Sequence, residues 1–286
     1  MKPAPFSYVR PSSVGEAVEA LSATDGEGKL LAGGQSLVPL LAMRLARPTT
    51  LIDLNHLCTL EGLTAAEGRV TFGSMTRQRD LIAQSEHPLV AEAVRWIGHA
   101  AIRSRGTIGG SLAHADPSAE LPAVALATNA VLRVQGPNGD RMIAIDDWFE
   151  TMLQTTIADD EILVEADLAA PTRWGFAEMA RREGDFALVL AVVAEVDSRW
   201  RVVIGGVGAR PWRCEAAEAL LDEHTNPEQV GAAISEAVQD TVETFDDLHA
   251  SVSYRSAMAA HVAGQAATDA LSLDRALLSD GTVVAP

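Results

Sequence analysis

Two short stretches of this chain set paired glycines beside hydroxyl side chains, and both have the makings of an anion cradle. The first is Lys29-Leu30-Leu31-Ala32-Gly33-Gly34-Gln35-Ser36-Leu37, an apolar run that breaks at a double glycine and resumes as Val38-Pro39-Leu40-Leu41-Ala42-Met43-Arg44-Leu45. The second is Arg103-Ser104-Arg105-Gly106-Thr107-Ile108-Gly109-Gly110-Ser111-Leu112, which leads into Ala113-His114-Ala115-Asp116-Pro117-Ser118-Ala119-Glu120. Adjacent glycines take backbone conformations closed to other residues and let a ligand come close to bare amides. The amides of Gly33, Gly34, Gln35 and Ser36, and those of Ile108, Gly109, Gly110 and Ser111, could form two facing nests. The hydroxyls of Ser36, Thr107 and Ser111 would add donors. A diphosphate is the group such donors suit. Either pair could equally be an ordinary turn, because Gly-Gly occurs between strands and helices for purely local reasons.

Other chemistry is thinly represented. The two cysteines, Cys58 and Cys214, belong to no Cys-x-x-Cys motif, so the chain cannot hold an iron–sulfur cluster alone. Both are expected to be buried small hydrophobes. The histidines are scattered without metal-ligand spacing, and no metal site is expected. His114 lies near the second glycine pair with nothing to assign it proton-transfer work, and His261 reads as a histidine at the edge of a core. Lysine and arginine total 22 against 39 acidic residues, a formal charge of −17, which argues against nucleic acid and against an anionic membrane surface. An anionic ligand would therefore need local amides or local arginines such as Arg103 and Arg105, which could instead brace the loop or dock a partner. The chain shows no apolar run of membrane-spanning length and no signal peptide, and a cytoplasmic protein is expected.

The elements that must position these residues follow from periodicity. Ser13 and Glu16 have capping-box spacing, and Val14, Ala17, Val18 and Leu21 recur at helical intervals, which predicts a helix ahead of a Lys29–Ala32 strand. Leu37, Leu40, Leu41 and Leu45 predict a helix ended by Pro48. Thr50–Leu54 predicts a strand parallel to the first, closing a small βαβ unit. Asp53 at its end could be a ribose ligand, a helix cap or part of a surface turn. A further strand over 69–76 precedes helices at 81–82 and 89–97, a glycine loop at 106–111 and a helix at 119–127, with Asp116 or Ser118 as its cap. Asn138-Gly139 marks a hairpin between 130–134 and 141–145, and 162–166 adds a strand. Beyond Pro171-Thr172, the strands at 186–196 and 201–207 form an antiparallel pair through a tight turn at Asp197-Ser198. Helices follow at 214–221, 227–238 and 254–271, the last packing through Ala257, Met258, His261, Val262 and Gln265. Thr282–Pro286 reads as a loose tail.

The two glycine segments, by their order, their separation and the chain length, resemble the flavin-binding subunit of the molybdenum hydroxylases. That group contains bacterial carbon monoxide dehydrogenase, xanthine dehydrogenase and quinoline oxidoreductase. Ala32-Gly33-Gly34-Gln35-Ser36-Leu37 and Thr107-Ile108-Gly109-Gly110-Ser111 are similar to its two FAD-diphosphate loops. The resemblance covers nearly the whole chain and implies an α+β protein. A two-lobed FAD-binding domain of the vanillyl-alcohol-oxidase (PCMH) type would span 1–175, with lobes over about 1–60 and 61–175. A carbon monoxide dehydrogenase flavoprotein C-terminal-like domain, an antiparallel sheet with packed helices, would span 176–286.

The resemblance further implies FAD contacts at Leu30, Leu31, Ala32, Gly33, Gly34, Gln35, Ser36 and Leu37, and at Thr107, Ile108, Gly109, Gly110 and Ser111. Others would fall at Ile97, where some relatives place a ring-contacting aromatic, at Asp116, at Glu120, where many have aspartate, and at Leu163. A lysine of xanthine dehydrogenase-type relatives falls at Ala177, so that contact would be missing unless Arg181 or Arg182 replaces it. No side chain would be catalytic in its own right. The implied function is an oxidoreductase subunit that passes electrons from a small [2Fe–2S] subunit to an external acceptor, with substrate oxidised on a large molybdopterin subunit. The assembly would be a dimer of heterotrimers. Two alternatives are a self-contained flavin oxidase or reductase and a nucleotide-binding assembly protein without redox work.

Overall fold

The computed structural model describes residues 2–223 and 226–272; the tail expected at Thr282–Pro286 lies outside them. The chain divides into two compact units interleaved in sequence. One comprises the residues up to Leu81 with His99–Ala115 and Ala130–Leu168; the other comprises Ile82–Gly98, Asp116–Asn129 and the chain from Ala169 onward.

The first unit opens on the expected βαβ arrangement, with one more strand than the sequence predicts. Gly28–Leu31 and Thr50–Asp53 pair in parallel, and Ser7–Val9 pairs in parallel on the other side of Thr50–Asp53. The helix Val14–Ser22 starts where Ser13 accepts from the Glu16 amide, and it buries Ala17, Val18 and Leu21. These join Ile52, Leu54, Leu57, Leu60 and Met75 in a core that also takes Ile162 and Val164. The helix after the first glycine pair is shorter than expected, Leu37–Ala42. Arg44 turns left-handed at φ +60°, the Arg44 amide bonds Leu41 O at 3.0 Å and the Leu45 amide bonds Leu40 O at 2.9 Å. This is a Schellman ending, so Pro48 has no helix left to stop, and Leu45 stands 72% exposed rather than on a buried face. Cys58 is exposed rather than buried, because the short turn Cys58–Leu60 points Leu60 inward. A second sheet of five strands has Arg69–Gly73 and Ile162–Ala169 as neighbours, flanked by Leu63–Ala66 on one side and the hairpin Val131–Gly136/Gly139–Ala144 on the other.

The second unit is built on a four-stranded antiparallel sheet, Arg173–Ala180, Ala187–Val196, Arg199–Gly205 and Trp212–Arg213, in that order. Asp197 and Ser198, both at positive φ, make the tight turn between the two long strands. The helices Pro227–Thr241 and Val252–Ser272 pack on one face around Val189, Ala191, Val193, Val202 and Ile204. The packing face of the last helix is only partly the expected one: Val262 is in the core and Met258 packs against it, but Ala257, His261 and Gln265 are exposed. Ala259, Ala260, Ala263, Gly264, Ala266, Ala267 and Ala270 are buried with Val262. Small residues carry little hydropathy contrast, so the sequence pattern did not show the alanine and glycine stripe that completes the packed face.

Candidate cofactor site

Both glycine segments lie in the first unit, and they touch. A Cβ placed on Gly33 would meet Arg105 O at 2.3 Å and Gly106 Cα at 2.8 Å, and one on Gly110 would come within 3.5 Å of the Ala32 Cβ. Gly33 is therefore required by the close approach of the other segment's backbone. Gly34 sits at φ +74°, in the left-handed region that favours glycine and that asparagine and aspartate enter more readily than other residues.

The donors of the two segments differ sharply. The second segment is not a loop but the first turn of a helix, Ile108–His114, with Thr107 as its N-cap. Its amides are already committed. The Ile108 amide donates to Thr76 O at 3.1 Å, Gly109 to Ser74 O at 2.8 Å and Ser111 to Thr107 O at 3.1 Å. The Gly110 amide donates to Thr107 Oγ1 at 3.0 Å. The expected nest at 108–111 is thus internally satisfied, because Ser74–Gln78 runs alongside it and takes its hydrogen bonds. Gly109 is needed for that approach, since a Cβ there would lie 2.4 Å from the Ser74 Cβ. In the first segment, by contrast, the amides of Gly33, Gly34, Gln35 and Ser36 have no acceptor among the described residues. All four residues are half-buried. Four consecutive unpaired donors lie in a turn that is neither strand nor helix, an arrangement whose chemistry suits an anion.

A polar network that the sequence did not reveal stands beneath this turn. The Tyr8 hydroxyl donates to the buried carboxylate of Asp53. Asp53 Oδ1 accepts from the Asn55 amide at 3.0 Å, and the Asn55 side chain donates to Ala32 O at 2.9 Å. Burial pushes the Asp53 carboxyl up, but the hydrogen bonds from Tyr8 and Asn55 outweigh it and hold the group below its ordinary value. Asn55 Oδ1 in turn accepts from Arg77, whose other arm donates to Arg105 O. The Asp-x-Asn spacing of an Asx turn was the one available signal for Asn55; Arg77 carried none. Asp53 ends its strand buried inside this network, so it lies in no surface turn and caps no helix. Leu163 is buried in the same unit, on the strand Ile162–Ala169.

Ile97, Asp116 and Glu120 belong to the second unit. Ile97 caps the helix Pro88–Trp96 at its C-terminus. Asp116 accepts from the Ser118 amide at 2.9 Å in an Asx turn, so neither it nor Ser118 caps the following helix, which starts after Ala119. Glu120 is buried, and burial, with Asp116 adding, pushes its carboxyl up to about 7. Glu178 on the strand Arg173–Ala180 is pushed up to about 9, by burial first and then by Glu120, and its Oε2 has no hydrogen-bond partner. Ala177, the position matched to the family lysine, packs instead in the helical core on the opposite face of this strand. Arg181 lies 3.8 Å from Asp185 in an exposed ion pair.

A parallel βαβ start, a glycine turn with bare amides and a C-terminal antiparallel sheet give an α+β protein whose first unit offers donors suited to an anionic ligand. Comparison with known proteins gives the family. Residues 4–168 match the profile of the FAD binding domain in molybdopterin dehydrogenase, and residues 174–270 match the CO dehydrogenase flavoprotein C-terminal domain. The nicotine 6-hydroxylase medium subunit of Paenarthrobacter nicotinovorans is 40% identical over 266 residues, 89% of this chain and 93% of that protein. Carbon monoxide dehydrogenase from Hydrogenophaga pseudoflava superposes with a TM-score of 0.90 at 34% identity, over 95% of this chain and 99% of that one. Quinoline 2-oxidoreductase from Pseudomonas putida 86 gives 0.90 at 30% identity over the same shares. The chain belongs to the FAD-binding medium subunits of the molybdenum hydroxylases. It is an oxidoreductase subunit that binds FAD and works with partner subunits. The donor set fits that cofactor: the unpaired amides at 33–36 suit a diphosphate, whereas the satisfied amides at 108–111 contribute packing.

Proposed function

We propose that this chain carries the FAD through which electrons leave the [2Fe–2S] clusters of a small partner subunit for an external acceptor, while a large molybdopterin subunit oxidises the substrate. The observation that carries the reading is the run of bare amides at Gly33, Gly34, Gln35 and Ser36 in a protein of net charge −17. When bound, the flavin supplies the exchange of one and two electrons, and the protein supplies position and electrostatics. In this reading the four amides and the Ser36 hydroxyl hold the diphosphate, and the exposed guanidinium of Arg105 offsets part of its charge. Leu30, Leu31, Ala32 and Leu37 flank the turn. Thr107, Ile108, Gly109, Gly110 and Ser111 form the wall against which the turn closes. Leu163, Ile97, Asp116 and Glu120 are retained as cofactor contacts by the resemblance. We also retain domains over 1–175 and 176–286, a dimer of heterotrimers and a cytoplasmic location. Among the described residues, no helix is long and apolar enough to cross a membrane.

Gly34→Asp tests the relay. It sets a carboxylate among the diphosphate donors at a φ that aspartate tolerates. The assembled complex is reduced with dithionite and mixed with a soluble quinone or with NAD in turn, while cluster and flavin absorbance are followed separately. In the wild type both signals reoxidise with at least one acceptor; in the variant, deprived of flavin, the clusters stay reduced. Clusters that reoxidise equally fast without flavin would refute the relay.

A further inference from the structure

We propose that Asn55 and Arg77 form the positioning brace that fixes the spacing of the two glycine segments and thereby the grip on the cofactor's diphosphate; this rests on the reading that the amides at 33–36 take that diphosphate. Arg77 Nη2 donates to Asn55 Oδ1 at 2.7 Å and Arg77 Nη1 donates to Arg105 O at 2.6 Å. Asn55 Nδ2 donates to Ala32 O at 2.9 Å, one residue before Gly33. Arg105 O is also the atom that a Cβ on Gly33 would strike. The brace therefore spans the point where the two segments meet, with one end on each.

Both ends are anchored independently. On either side of Arg77, the Thr76 carbonyl accepts from the Ile108 amide at 3.1 Å and the Gln78 amide donates to Gly106 O at 2.9 Å. Asn55 is held through its own amide by Asp53, which Tyr8 holds in turn. A planar guanidinium offers two donors at a fixed spacing, which the single ammonium of lysine cannot reproduce. Asn55 and Arg77 are half-exposed, and neither is among the apolar side chains of the unit's core. Loss of the brace should loosen the turn and leave the unit folded.

The test follows FAD release from the assembled complex, after dilution into FAD-free buffer, by the rise in free-flavin fluorescence. Arg77→Lys and Asn55→Ala are each expected to release FAD about ten-fold faster or more, the scale of one hydrogen bond to a charged group. Because the two act as one unit, the double variant should release no faster than the faster single variant. Ethylguanidinium added to Arg77→Ala should slow release, and ethylammonium should not. Release at the wild-type rate from Arg77→Lys, or multiplied effects in the double variant, would overturn the brace. Gly34→Asp and Gly34→Asn separate this failure from that of the underlying reading. If Gly34→Asp holds FAD as firmly as Gly34→Asn, the diphosphate assignment fails; if it loses FAD while Arg77→Lys keeps it, only the brace does.

Discussion

Ala177 and Glu178 differ by one step along a strand, and that step reverses their surroundings. Ala177 faces the helical core, while Glu178 shares the other face with Phe176, whose ring lies 6.0 Å from that of Trp96. Glu178 and Glu120 are both held above the ordinary carboxylate value, so the folded chain keeps protons that the unfolded chain has released. The stability they contribute is whole below about pH 4.5 and is lost as the pH rises through about 7 and about 9. His87 works in the opposite sense. Burial lowers it to about 4, so its contribution is present above pH 6.5 and is lost as the pH falls toward 4. Glu178→Gln should therefore melt higher than the wild type at pH 9, by a margin that shrinks toward pH 5. A margin constant across that range would contradict the assignment. None of this was legible in the sequence, where a glutamate in an alternating strand reads as solvent-facing; burial of a carboxyl is decided by what packs over it.

Among the elements, those with strong local signals were read correctly. The Ser13 cap and the turn at Asp197-Ser198 follow from nearest-neighbour chemistry, and the parallel pairing of 28–31 with 50–53 from the helix that connects the two strands. The early end of the helix Leu37–Ala42 is local, set by Arg44 turning left-handed, but two other failures share a cause, which is that a distant segment decides. Glycines 109 and 110 look like a loop until Ser74–Gln78 is laid beside them, and the last helix hides its alanine and glycine stripe until its partner is seen. That partner is the helix Pro227–Thr241, which approaches so closely that a Cβ on Gly264 would lie 2.6 Å from Gly231 O. Gly264→Val should accordingly cost about 1–3 kcal/mol, the scale of overpacking a tight core. Ala257→Val, on the exposed side of the same helix, should leave the denaturant midpoint unchanged. Equal midpoints for the two variants would mean that the helices do not meet at Gly264.

For the whole molecule, the two family profiles lie one after the other, over residues 4–168 and 174–270. Two glycine pairs carried the family resemblance, yet they do different physical work: one exposes its amides and the other spends them on packing. Residue types alone could not distinguish these roles, because the distinction lies in Ser74 and Thr76 as acceptors. The account depends on the first pair. The most direct measurement is the FAD content of the assembled complex carrying Gly34→Asp or Gly34→Asn, two side chains of nearly equal shape at the same positive φ. The account predicts that the aspartate variant is purified without flavin while the asparagine variant keeps most of it; equal flavin in both would contradict it.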